Sequence, residues 1–142
     1  EGNYLVRAES VWFFYDTEKM IPVRVMPEDV AAYGEEEAFD LEKAPRKIAV
    51  PKEYIEGTPV TIAAHHLDTN HHVNNAQYVD IAREAVPCTK MVKEIRADYK
   101  KAAVLGEVLI PRVINTGKDE WTVVLADEVG EARAVVWLRY EE

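Results

Sequence analysis

Apolar and polar positions alternate along the chain in two different periods, and each change of period marks an element. Residues 4–15, Tyr-Leu-Val-Arg-Ala-Glu-Ser-Val-Trp-Phe-Phe-Tyr, are β-branched and aromatic enough for one long strand. Asp16-Thr17-Glu18-Lys19 reads as a turn, and residues 21–25 as the returning strand of a hairpin. Pro22 puts that second strand at an edge, because it cannot donate to a ladder. Pro27-Glu28-Asp29 opens a short helix whose acidic first turn suits the positive end of the helix dipole, and which stops near Gly34. Residues 35–58 are acidic, carry Pro45 and Pro51 and sustain no period. They read as an ordered linker crossing a surface, anchored by Ile48, Val50, Tyr54 and Ile55.

Beyond Pro59 the pattern is clean. Residues 60–64 form a strand, and residues 65–72 a loop rich in His, Asp and Asn. A helix follows over about 74–86. Gln77, Asp80, Arg83 and Glu84 lie on one side of it, and Val73, Ala76, Val79, Ala82 and Val86 on the other. Pro87 ends it. Four strands are predicted next, over 93–101, 107–115, 120–127 and 133–140. The last three are joined by the short Gly-containing links Thr116-Gly117-Lys118-Asp119 and Glu128-Val129-Gly130-Glu131, as in hairpins. A strand, a helix and an antiparallel meander make an α+β plan in which the sheet wraps the helix.

Composition narrows the function classes. The 142 residues are 48% hydrophobic and 30% charged, enough for one soluble core. No apolar run approaches the roughly 20 residues that span a bilayer, so no membrane association is expected. A basic leader followed by an apolar stretch is absent, and the start at Glu1 suggests a trimmed N-terminus. Single Cys88 excludes an internal disulfide and suits a reducing, cytoplasmic setting. The net charge of −9 argues against nucleic acid as a partner, because phosphate contacts need a basic surface.

The candidate chemistry sits in the loop before the central helix. All four histidines, His65, His66, His71 and His72, cluster there beside Asp68 and Asn70. Three readings are open. In thioester hydrolysis, Asp68 acts as base or nucleophile, His72 polarises or shuttles the proton, and Asn70 orients the carbonyl. The first backbone N–H groups of the helix, at Val73, Asn74 and Asn75, hold the developing oxyanion. Alternation in an extended loop would point residues 68, 70 and 72 the same way. A metal site is the second reading, weakened because adjacent histidines diverge in an extended chain and no HExxH or Cys pair is present. In the third, Asn and Asp are ordinary helix caps beside exposed histidines. The combination Asp-x-Asn-x-His feeding a helix favours function, with no metal and no cofactor.

Leu67-Asp68-Thr69-Asn70-His71-His72-Val73-Asn74-Asn75-Ala76-Gln77-Tyr78 resembles the Leu-Asp-x-Asn-x-His-Val-Asn-Asn-x-x-Tyr signature of acyl-ACP thioesterases. Arg7-Ala8-Glu9-Ser10-Val11-Trp12 is similar to a strand late in the family's N-terminal domain, and Ala44-Pro45-Arg46-Lys47-Ile48 to its interdomain connection. The resemblance implies tandem hotdog domains, an acyl chain bound in the N-terminal one and catalysis in the C-terminal one, by Asp68, Asn70 and His72. Residues 1–26 would be the terminal hairpin of an incomplete N-terminal hotdog, 27–58 the interdomain linker and 59–142 the C-terminal hotdog. The implied partner is acyl carrier protein bearing a fatty acyl chain. The exposed hairpin implies a homodimer or pairing with a missing N-terminal hotdog. An acidic carrier would need a local basic patch, either Arg46, Lys47 and Lys52 or Lys90, Lys93, Arg96, Lys100 and Lys101. Either group also reads as solvated surface.

The chain departs from the family pattern in two places. The family's further Glu or Cys, on the strand after the helix, falls on Ala102 or Ala103, neither of which can ionise. The Asp that often precedes the signature's Leu-Asp is His66. Acyl-ACP hydrolysis is the leading expectation. An acyl-CoA thioesterase of the hotdog group and a non-catalytic acyl or carrier-protein binding module are the alternatives.

Overall fold

The expected N-terminal hairpin forms around its turn rather than along its strands. The computed structural model describes residues 5, 6, 8, 10, 12–34, 45 and 47–141, in two compact units, Glu1–Ala44 and Pro45–Glu142. In the first unit, β1 (Phe14–Asp16) pairs antiparallel with β2 (Ile21–Val23), Phe14 opposite Val23 and Asp16 opposite Ile21. The Asp16 carboxylate accepts the N–H groups of Lys19 at 2.9 Å and Glu18 at 3.0 Å, which closes the turn. The Lys19 N–H bond is the largest influence holding the Asp16 pKa below the usual carboxylate value. Of the strand expected over 4–15, residues 4, 7, 9 and 11 lie outside the described residues, and Trp12 and Phe13 are unpaired. Pairing stops there because β2 is only three residues long with Pro22 at its centre. The expected short helix is α1 (Pro27–Ala31), followed by Gly34 at φ 74°.

The second unit holds one antiparallel sheet. Residues 35–44 and 46, read as linker, lie outside the described residues, whereas residues 47–54 run without regular structure into the sheet. β3 (Ile55–Glu56), not expected from the sequence, pairs with the later strand β6 (Val108–Gly117), Ile55 opposite Val113. β4 (Val60–Thr61) also pairs with β6, so the strand expected over 60–64 is only two residues long. Thr61 already faces Val108, the first residue of β6; beyond it the chain turns into a 3₁₀ segment, Ala64–His66. The meander follows the sequence reading closely. β5 (Val92–Tyr99), β6, β7 (Glu120–Ala126) and β8 (Ala132–Tyr140) stand in the order β3-β6-β7-β8-β5.

Strand alternation sorts the side chains onto two faces. Val123, Leu125, Val136 and Leu138 point into the main core, while Val124 and Val135 belong to a second cluster with Ile114. Ile48 packs on that second cluster, so this one anchor of the expected linker covers the sheet's other face. Val50, Tyr54 and Ile55 remain exposed, although Arg112 stacks 4.9 Å from the centre of the Tyr54 ring. Burial on both faces explains why β7 reads as an almost unbroken apolar run.

The central helix, α2 (Asn75–Ala85), packs on β6, β7 and β8. Its buried residues are Tyr78, Ile81 and Ala82; of the side expected to be apolar, Val73, Ala82 and Val86 are buried, whereas Ala76 is exposed and Val79 only half-buried. Large side chains set the face, and small Ala76 carries little weight against them. An isolated 11-residue helix is marginal in water. Burying Tyr78 and Ile81, at about 1.5–3 kcal/mol for a large apolar side chain, therefore holds it more than propensity does. The side chain of Asn74 caps the helix by accepting the Ala76 N–H at 2.9 Å. Asn74→Ala is expected to lower stability by about 1 kcal/mol in a urea titration.

Candidate active site

The His-rich loop is a tight turn, not the extended segment expected. Leu67 bridges Val73 in antiparallel fashion. The Asp68 N–H donates to the His72 carbonyl at 2.8 Å, and the His71 N–H to the Asp68 carbonyl at 3.1 Å. His71 sits at φ 60°, a left-handed conformation that non-glycine residues seldom adopt. The Asp68 side chain drives the reversal. Its Oδ1 accepts the N–H groups of Asn70 at 2.8 Å and His72 at 3.3 Å, which only a folded-back chain can offer. Residues 68, 70 and 72 therefore do not share one side of an extended strand.

Asp68 and His72 line a cavity of about 250 Å³ together with Val73 and Asn75. Tyr78, Tyr99, Lys100, Lys101, Ala102 and Arg133 complete its walls, whereas Asn70 and Asn74 are not among them. The three backbone donors expected at the helix start separate in the same way. The Val73 N–H is bonded to the Ala103 carbonyl and the Asn74 N–H to the His66 carbonyl, both at 2.9 Å. Among the described residues the Asn75 N–H has no acceptor. It begins an 11-residue helix at the cavity wall, where partial positive charge gathers. Asp68 Oδ2 likewise has no partner among the described residues. Asp68, His72 and Asn75 thus line one cavity, and the second Asp68 oxygen and the Asn75 N–H have no partner among the described residues.

Several of the surrounding residues were not expected to belong to the site. The buried Tyr78 hydroxyl accepts the Ala103 N–H at 2.8 Å, and burial pushes its pKa up. The Tyr99 hydroxyl donates to the Asn75 carbonyl at 3.1 Å, and the two tyrosine rings lie 5.8 Å apart. Burial raises the Tyr99 pKa as well. The signal for Tyr78 was its place at the end of the signature, one helical turn beyond Asn75. Nothing in the sequence marked Arg133. The two alanines at the expected acid or thiol position differ: Ala102 is exposed on the cavity wall, whereas Ala103 is fully buried.

The remaining candidates are structural in their surroundings. His66 Nδ1 accepts the Ala63 N–H at 2.9 Å, and burial followed by the neighbouring His65 lowers its pKa, so the neutral ring is favoured. Among the described residues, no group of three or more His, Cys, Asp or Glu side chains is arranged to hold a metal ion. Cys88 is half-buried against the core. Arg46 lies outside the described residues. In the second basic group, Lys90 pairs with Asp119 at 2.7 Å, Lys100 with Asp98 and Lys101 with Glu131, both at 3.0 Å. Those acids mute the field of that patch. No helix among the described residues is long and apolar enough to cross a membrane.

Comparison with known proteins agrees with this fold. The acyl-ACP thioesterase C-terminal domain family matches residues 51–130. An acyl-ACP thioesterase from Bacteroides thetaiotaomicron superposes with a TM-score of 0.74 at 18% identity, over 89% of this chain and 53% of that one. The 12:0-ACP thioesterase from Umbellularia californica superposes with a TM-score of 0.62 at 18% identity, over 89% of this chain and 52% of its own. A thioesterase from Thermus thermophilus, solved with coenzyme A and zinc, matches 63% of this chain and 86% of its own at 19% identity, TM-score 0.53. None of the curated protein sequences matches. The fold is the α+β hotdog, an antiparallel sheet around a central helix, and the chain spans about half the length of the first two of these proteins.

Proposed function

This chain belongs to the acyl-ACP thioesterase C-terminal domain family, and from that premise we propose that its cavity hydrolyses fatty acyl-ACP thioesters to free fatty acid and carrier protein. The observation that carries the reading is the meeting of Asp68, His72 and the unused Asn75 N–H in one cavity. Asp68, with Oδ1 held by two loop N–H groups, takes the proton from a water through Oδ2 as the water attacks the thioester carbon. The Asn75 N–H at the helix start receives the developing oxyanion. The carbon–sulfur bond then breaks, and His72 relays a proton to the departing thiolate. Asn70 contributes through its backbone bond to Asp68, while Val73 and Asn74 hold the loop in place.

The domain reading remains part of this proposal. Residues 1–26 correspond to the last hairpin of an N-terminal hotdog, 27–58 to the connection and 59–142 to the catalytic hotdog. Trp12, at 84% exposure, with Phe13 and Met20 on the same hairpin, supports pairing with a second copy or with an N-terminal hotdog domain. A cytoplasmic setting is proposed from the single Cys88.

Two other readings rest on specific observations. The Thermus thioesterase was solved with coenzyme A, which favours acyl-CoA as the alternative substrate. Ala102 in the cavity wall, lacking any ionisable group, favours a binding module without turnover. Rates on acyl-ACP and acyl-CoA of the same chain length separate them. The proposal expects the higher kcat/KM on acyl-ACP; equal or faster turnover of acyl-CoA would reassign the carrier. Tight acyl-ACP binding without hydrolysis would favour the module.

A further inference from the structure

We propose that Arg133 is the positioning residue of this cavity, a buried guanidinium that sets His72 and the helix start in place through the segment 102–104. The inference rests on the hydrolytic reading for its effect on rate, and on geometry for the rest. Arg133 is 7% exposed, yet it lies in the cavity wall. Its Nη1 donates to the Ala102 carbonyl at 3.3 Å. Its Nη2 meets Glu107 Oε1 at 3.0 Å and Asp127 Oδ2 at 3.2 Å. Its own carbonyl accepts the N–H groups of Lys100 at 2.9 Å and Lys101 at 3.3 Å.

Each carboxylate spends its second oxygen on backbone. Glu107 Oε2 accepts the Val104 N–H at 3.2 Å, and Asp127 Oδ1 accepts the Glu131 N–H at 2.8 Å and the Val129 N–H at 3.1 Å. The guanidinium therefore joins the segment between β5 and β6, at Ala102 and Glu107, to the β7–β8 turn at one point. The segment it grips is the one that holds the candidate loop. Val104 bridges His72, and the Ala103 carbonyl accepts the Val73 N–H. Ala103 is also bonded to the Tyr78 hydroxyl on α2. Thus Arg133 reaches His72 through Glu107 and Val104, and reaches the start of α2 through Ala102 and Ala103. A planar guanidinium can serve three acceptors at fixed angles, which an ammonium on a flexible stem cannot.

The test is Arg133→Lys in the full chain, with Arg139→Lys on the same strand as control. Arg139 pairs with Glu94 away from the cavity. Two readouts are needed: amide exchange at Val73, Ala103 and Val104 against Val123 and Leu125, and the kinetic constants on acyl-ACP. Arg133→Lys is expected to speed exchange at Val73, Ala103 and Val104 by about tenfold or more while leaving Val123 and Leu125 within about twofold. It should lower kcat by roughly 10²-fold with KM little changed, since a small misplacement of reacting groups costs rate on that order. Arg139→Lys should move neither. Unchanged exchange at Val73 overturns the proposal, whatever the rate does. An equal rise at all five amides overturns it too, because it would make Arg133 a general stabiliser. If the unaltered chain hydrolyses no acyl-ACP, the functional reading fails and the exchange pattern alone still decides the positioning role.

Discussion

Asp68→Asn is expected to cut hydrolysis of acyl-ACP by about 10²–10⁴-fold, the range for losing a positioned general base. The substitution is informative because it separates charge from architecture. Asp68 Oδ1 accepts the Asn70 and His72 N–H groups, and an amide oxygen can accept both in the same place. The turn should survive, with a stability change within about 1 kcal/mol in a urea titration, the scale of one net hydrogen bond. What disappears is the carboxylate oxygen left without a partner among the described residues. Asp68→Ala, by contrast, removes the acceptor as well and should both inactivate the chain and loosen the left-handed turn at His71. A rate in Asp68→Asn within a few-fold of the unaltered chain would remove Asp68 from the chemistry.

Ala102→Glu and Ala103→Glu should have opposite consequences although the two residues are adjacent. Ala102 is exposed and faces the cavity that contains Asp68 and His72. A carboxylate there supplies the group that the resemblance assigns to this strand. Turnover is expected to rise at least about tenfold, toward the 10²–10⁴-fold that a positioned acid or base contributes. Ala103 is fully buried, its N–H bonded to Tyr78 and its carbonyl to Val73. A carboxylate forced into that apolar core is desolvated, and Ala103→Glu should cost roughly 3–5 kcal/mol or prevent folding. Denaturant midpoints and acyl-ACP rates for the two variants check both statements. A stable, active Ala103→Glu variant beside an unchanged Ala102→Glu would mean that the cavity wall is drawn on the wrong alanine.

The contrast between these alanines shows where sequence reading ends. The meander was legible because each strand carries a period of two and the links are short and Gly-containing. Gly130, at φ 88° with Arg112 close to where a Cβ would stand, fits such a link. β3 and β4 were not readable at their true length, since two-residue strands beside Pro51 and Pro59 leave no period to detect. The helix was found and its apolar side held at Val73, Ala82 and Val86, but Tyr78 and Ile81 take the core positions that Ala76 and Val79 were expected to fill. Asp68 and His72 were visible as a local signature, yet their meeting depends on a fold-back made by side-chain bonds. Periodicity carries no trace of such bonds. Arg133 was invisible for a different reason. In sequence it is one polar residue at a strand start, and its partners Glu107 and Asp127 reach it only through the topology of the sheet.

The most direct measurement is the release of free fatty acid from a mid-length acyl-ACP by the purified chain and by His72→Ala, side by side, with the mass of each species in solution. His72 lines the cavity and packs no core, so the variant should fold and assemble as the unaltered chain does. The account predicts turnover by the unaltered chain and a loss of about 10²-fold or more in His72→Ala. Hydrolysis that is indifferent to His72, or an intact chain that binds acyl-ACP and releases nothing, would contradict it.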